Sequence, residues 1–131
     1  MAAERESFQY AIWRVVPSAA RGERVNVGVV LYCRRRSFLD ARVHVDPDAL
    51  ALLEPGLDLA ALEAHLTGLI RVVRGEDAGG PMAAMDQSDR FGFVTAPSDT
   101  IVQPSAVHVG LCDDPAETLD RLFDELVGRP G

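Results

Sequence analysis

The sequence predicts an α+β domain: a largely antiparallel sheet of about five strands with helices packed on one face, in the order βββααββα. Three observations predict it. Strand-like apolar runs follow one another at the start of the chain, over 8–16, 25–33 and 39–45. Runs with helical spacing are clustered after the third of these and again at the C-terminal end. No glycine-rich fingerprint leads from a strand into a helix, which excludes a dinucleotide-binding doubly wound sheet.

Each element has its own reason. Phe8 to Val16 is rich in aromatic and β-branched residues, which suit a pleated surface. Phe8, Tyr10, Ile12, Arg14 and Val16 alternate with Gln9, Ala11, Trp13 and Val15. Pro17 ends the run because it cannot donate to a ladder. Ser18 to Gly22 reads as a loop, with Gly22 free to take positive φ. Val25 to Cys33 is apolar on both faces, the pattern of a central strand covered at least partly on both sides. Gly28 within it points to a bulge or a close backbone approach. Arg34 to Ser37 forms a basic turn. In 39–45, Leu39, Ala41, Val43 and Val45 face inward and Asp40, Arg42 and His44 outward.

Asp46-Pro47 reads as an N-cap and first helical residue of a short helix ending near Glu54. Asp58 caps a longer helix with an apolar stripe of Leu59, Leu62, Leu66, Leu69, Ile70 and Val73, stopped at Gly75. Residues 76–89 read as a mobile loop, either merely loose or a lid. Residues 90–95 read as a fourth strand and 100–109 as a fifth, interrupted at Pro104. Asp114-Pro115-Ala116-Glu117 is a capping box opening a last helix, with Leu119, Leu122, Phe123, Leu126 and Val127 inward.

Composition fits one domain of 131 residues, with 47% hydrophobic and 25% charged residues. Residues 1–6 are expected to fray. The formal charge of −7 argues against duplex nucleic acid as a partner. All 13 basic residues are arginine, which removes lysine Schiff-base chemistry and the lysine of a phosphate-binding loop. Cys33 and Cys112 are far apart and lack metal spacing, so neither a metal nor a disulfide framework is expected. No apolar run reaches the roughly 20 residues of a membrane span, and the first residues lack the apolar core of a signal peptide. The expected location is the cytoplasm, without membrane contact and without a cofactor.

Two separated motifs resemble one family. The first comprises Tyr10, Arg14, Val16, Pro17, Arg21, Gly22, Glu23, Val25, Asn26, Val27, Gly28, Val29, Val30 and Leu31. The second comprises Arg90, Pro97, Thr100, Ser105, His108 and Gly110, followed by an acidic-capped helix. In this order they resemble domain-of-unknown-function family 3037, over nearly the whole chain. Similar members carry Arg and Ser after the proline where this chain has Ser98 and Asp99, and often Trp near Phe93. That departure weighs against an anion-binding loop. The resemblance implies no activity. It implies a neighbourhood, because similar proteins are often encoded beside HipA-like kinase proteins.

The candidate site residues are Arg14, Glu23, Asn26, Arg90, Ser105 and His108. An arginine on a buried strand face needs a partner, and Glu23 is the nearest carboxylate. A structural reading pairs Glu23 with Arg14 or Arg90; a functional one makes it a base or metal ligand, with Arg14 or Arg90 holding an anion. Asn26 suits backbone capping of the preceding loop. Ser105 and His108 stand three apart, so on a regular strand they point to opposite faces, against a nucleophile–base pair. The hydroxyls of Ser98 and Thr100 suit phosphate, which Asp99 would repel. Arg34 to Arg36 reads as a solvated turn. Two function classes remain open: an accessory or partner-binding protein working with a HipA-like kinase, and an anion- or nucleotide-binding domain or small enzyme. The mix of one carboxylate, two guanidinium groups and one imidazole suits gripping an anion or an acidic side chain better than breaking a bond. The oligomeric state is not legible from the sequence.

Overall fold

The computed structural model describes residues 5–18, 22–98 and 100–128. Residues 1–4 of the expected frayed end, Arg21 of the first motif and Asp99 lie outside them. Among these residues five strands and four α-helices follow one another as β1 (Glu6–Ser18), β2 (Glu23–Cys33), β3 (Phe38–Val43), α1 (Pro47–Leu53), α2 (Leu59–Val73), α3 (Gln87–Thr95), β4 (Val102–Pro104), β5 (His108–Cys112) and α4 (Pro115–Leu126). The sheet is antiparallel in the order β3-β2-β1-β4, with β5 on the same edge of β1 as β4. The expected central strand is present: β2 is hydrogen-bonded to β1 on one side and to β3 on the other.

The core lies in two layers. On one face Ala11, Trp13, Val15, Val30, Tyr32, Leu39 and Ala41 pack under Leu50 of α1, Leu62, Leu66 and Val73 of α2, and Phe91 and Val94 of α3. On the other, Phe8, Val29, Leu31 and Cys33 pack under Leu119 and Leu122 of α4. Helices on a single face were expected; that holds for α1–α3, while α4 crosses to the opposite face. The physical reason is β2 itself, whose apolar residues on both sides require two covers.

A bulge corrects the strand faces. Trp13 pairs with Gly28 and Arg14 with Asn26, so Val27 is the extra residue. Simple alternation groups Asn26 with Val30 and Tyr32. The bulge instead turns Asn26 toward α4 and sends Val25 and Val27 into the layer of Trp13. Gly28 sits where the chains come closest: a Cβ there would lie 2.9 Å from both Trp13 Cε3 and Val43 Cγ1 and 3.1 Å from the Arg42 carbonyl oxygen.

The second half carries two further corrections. Residues 90–95 are not a strand but most of α3, capped by Asp86, whose carboxylate accepts from the Asp89 amide at 2.9 Å. A short apolar run of aromatic and β-branched residues fits either period, and the exposed Phe93 shows that the alternation is not a burial pattern. The stretch 76–89 holds two short 3₁₀ turns, Asp77–Gly79 and Pro81–Ala84, and then the start of α3. The expected fifth strand is two strands, since β4 ends at Pro104 and β5 starts at His108. The helix caps follow expectation: Asp46, Asp58 and Asp114 each accept from amides of the first turn.

Candidate functional site

The break between β4 and β5 places Ser105. With Pro104 ending one strand, Ile12 of β1 faces an interrupted ladder. Its carbonyl accepts from the Ser105 amide at 2.8 Å. Its N–H donates to Ser105 Oγ at 2.9 Å, and that hydroxyl donates to the Ala106 carbonyl at 2.9 Å. Ser105 is thus a splice in the sheet, its oxygen already engaged by backbone. His108 opens β5 opposite Tyr10. Its ring lies over the Tyr10 ring, centroids 5.1 Å apart, and it is exposed.

Arg14 and Asn26 are brought directly opposite each other by the bulge, on the α4 side of the sheet. Arg14 Nη2 donates to the Pro104 carbonyl at 3.2 Å, while its Nε is buried without a hydrogen-bond partner. Asn26 Nδ2 donates to the Leu126 carbonyl at 2.9 Å, occupying one of the free carbonyls at the end of α4. Glu23 lies further along β2, opposite Ser18, half-buried and with a partner of its own. The expected pairing of Glu23 with Arg14 or Arg90 is not among the ion pairs of the described residues.

Arg90 belongs elsewhere. Its helix, α3, packs on the other face of the sheet. Its guanidinium lies against Gly75, whose φ of +67° and missing Cβ make room for it, and its Nε is buried without a hydrogen-bond partner. Arg14 in β1 therefore has Asn26 on the neighbouring β2 and Ser105 and His108 on the opposite edge of its own strand, Glu23 stands toward the far end of β1, and Arg90 lies with α3 on the sheet face opposite Arg14 and Asn26. The hydroxyls of Ser98 and Thr100 bond each other at 2.8 Å, and Thr100 Oγ1 donates to the Val102 carbonyl at 2.9 Å, so both are held in their own turn.

Cys33 and Cys112 meet in the layer under α4 although 79 residues separate them in the sequence. Cys33 Sγ donates to the Ser7 carbonyl at 3.6 Å. Burial, with Cys33 beside it, pushes the Cys112 thiol above the ordinary thiol range, away from thiolate reactivity. Among the described residues no group of His, Cys, Asp or Glu is arranged to hold a metal ion, and no helix is long and apolar enough to cross a membrane.

Three features escape sequence reasoning. Trp13 Nε1 donates to the Val94 carbonyl at 3.0 Å, tying β1 to the end of α3. Around the free edge of β3, Asp40 accepts from Arg74 and Arg42 at 3.1 Å each, and Arg42 reaches Asp120 of α4 at 3.2 Å, so one chain of charges joins the two helical layers. Beside it, between β3 and α2, runs a groove of about 490 Å³ lined by Val43, Val45, Leu66, Ile70, Arg42 and Arg74 among others. The strand alternation marks Asp40 and Arg42 as facing away from α2, and nothing in the sequence marks Arg74 as their partner.

Fold and site together define a small α+β protein, with helices on both faces of one antiparallel sheet, whose conspicuous polar residues mostly brace backbone. The chain belongs to the family described as protein of unknown function (DUF3037), whose model matches residues 10–127, nearly the whole chain. No curated protein and no solved structure matches it.

Proposed function

We propose that this chain is a small accessory protein that binds a protein partner, and that the partner is a HipA-like kinase protein of the kind encoded beside similar family members. The observation that supports this reading is the disposition of the six candidate residues. Arg14, Asn26 and Ser105 donate to or accept from backbone, and Arg90 lies across the sheet. They do not assemble a base, a nucleophile and an oxyanion donor around one point, which bond-breaking chemistry requires. An apolar groove with a charged rim is, by contrast, a surface for recognition. Val45, Leu66 and Ile70 form the floor between β3 and α2, while Arg42, Arg74 and Glu63 stand at the rim. Such a groove suits an apolar ridge of a partner that carries an acidic side chain toward the two guanidinium groups. This reading places the protein in the cytoplasm, where two free cysteines stay reduced.

The test is co-expression with the neighbouring kinase-like protein and capture of the complex. Thr67→Arg puts a long charged side chain at the wall of the groove and should abolish capture with an unchanged circular dichroism spectrum. His108→Ala, in β5 at the other side of the sheet, should retain it. No capture by the parent chain overturns the partner; capture by Thr67→Arg overturns the groove. Turnover of a nucleotide or phosphoester by the isolated chain, lost on Glu23→Gln, would establish the enzyme reading instead.

A further inference from the structure

We infer that two copies of this chain join edge to edge through β5, independently of the partner reading above. Among the described residues β5 hydrogen-bonds to β1 alone, so its outer edge offers unpaired N–H and C=O groups. Exposed edges are ordinarily blunted by charges, prolines or irregularity. This chain uses those devices on its other free edges: β3 carries Asp40 and Arg42, and β4 ends in Pro104 with an irregular stretch after it. Residues 108–112 have none of them. The strand is a regular ladder of His108, Val109, Gly110, Leu111 and Cys112, without a formal charge.

Its side chains are equally unguarded. Val109 is 69% exposed and Leu111 60%. They stand on the face that carries α1–α3, opposite Gln9 and Ser7, which are also exposed. The helices cover Ala11, Trp13 and Val15 further along β1 and leave this corner bare.

The occupant follows from charge and pattern. A strand laid on this edge must be free of charge where it passes Val109 and Leu111 and must present apolar side chains at alternate positions. β5 itself meets both conditions. A two-fold axis at Gly110 sets the two copies antiparallel, with Val109 facing the second copy's Leu111, twice, and the two Gly110 residues facing each other. The closest charges, Asp113 with its ion pair to Arg5 at 3.9 Å, then fall opposite the uncharged Val107 and not opposite a like charge. The four apolar side chains form one cluster across the axis, the cross-strand pairing that stabilises an antiparallel sheet.

Sedimentation of the full chain at high micromolar concentration tests this. The expected result is twice the chain mass. Association should hold or tighten as salt is raised, because salt screens the repulsion between two chains of charge −7. Val109→Lys and Leu111→Lys should each halve the mass without changing the circular dichroism spectrum, whereas Leu52→Lys, at an 89% exposed position on α1, should leave it doubled. A parent chain that sediments at the single-chain mass overturns the inference, as does a dimer that survives either β5 lysine. So does association that weakens with salt, which would assign the edge to an acidic segment attracted by Arg34 and Arg35 across the neighbouring groove.

Discussion

Replacing Ser105 with alanine separates a structural hydroxyl from a chemical one. In the folded chain Ser105 Oγ accepts the Ile12 N–H at 2.9 Å, at the point where the ladder between β1 and the β4–β5 edge is broken. The second bond, to the neighbouring Ala106 carbonyl at the surface, is local and contributes little. Alanine removes the acceptor and keeps the backbone bond from residue 105 to the Ile12 carbonyl. A buried donor left unmatched costs about 1–3 kcal/mol. Ile12 and Ser105 are half-buried, so water recovers part of it, and the expected loss is about 1–2 kcal/mol. For a domain of this size that is a fall in melting temperature of roughly 3–8 °C. Urea titration should show a lower midpoint at unchanged slope, because the surface exposed on unfolding is the same, and the Ile12 amide should exchange faster. A midpoint equal to the parent's would refute the assignment of Ser105 as a splice and reopen it as a free hydroxyl.

Gly28→Ala should destabilise by about 1–3 kcal/mol in denaturant titration, because the new methyl meets Trp13, Val43 and the fixed Arg42 carbonyl; an unchanged midpoint would contradict the close approach. Gly75→Ala should lower the melting temperature through both its positive φ and its collision with Arg90, and Gly75→Ala with Arg90→Ala should recover part of that loss but not the backbone share. Asn26→Ala should cost about 1 kcal/mol and speed amide exchange in the last turn of α4, since the Leu126 carbonyl loses its donor. Cys112 should resist alkylation in the folded chain at neutral pH. Its thiol is raised by burial, so folding favours the protonated form: that contribution is whole below the ordinary thiol range and is lost as pH rises through the folded value. Stability should therefore fall on the alkaline side, and Cys112→Ala should flatten that fall.

The sequence by itself determined the elements whose signals are local. Two-residue alternation with β-branched residues specified β1, β2 and β3, and aspartates before apolar helical spacing specified α1, α2 and α4. Two apolar faces on Val25–Cys33 determined that the strand lies inside the sheet, whereas the helix that covers its second face was decided by the packing of α4. Local signals failed where a short run satisfies two periods. Residues 90–95 fit a strand until Asp86 is seen to cap them, and Phe91 and Val94, three apart, are the pair that α3 buries. The tertiary structure alone decided the candidate site. One extra residue at Val27 turns Asn26 through the sheet to meet Arg14, an inversion that alternation cannot register. Arg90 and Ser105 are only 15 positions apart, yet Arg90 is tucked against Gly75 in the layer of α3 while Ser105 is bonded into the edge of the sheet at Ile12. Bonds such as Trp13 to Val94 and Asn26 to Leu126 close over 81 and 100 residues. Their geometry depends on how the layers pack, and packing is a property of the whole chain, not of any window along it.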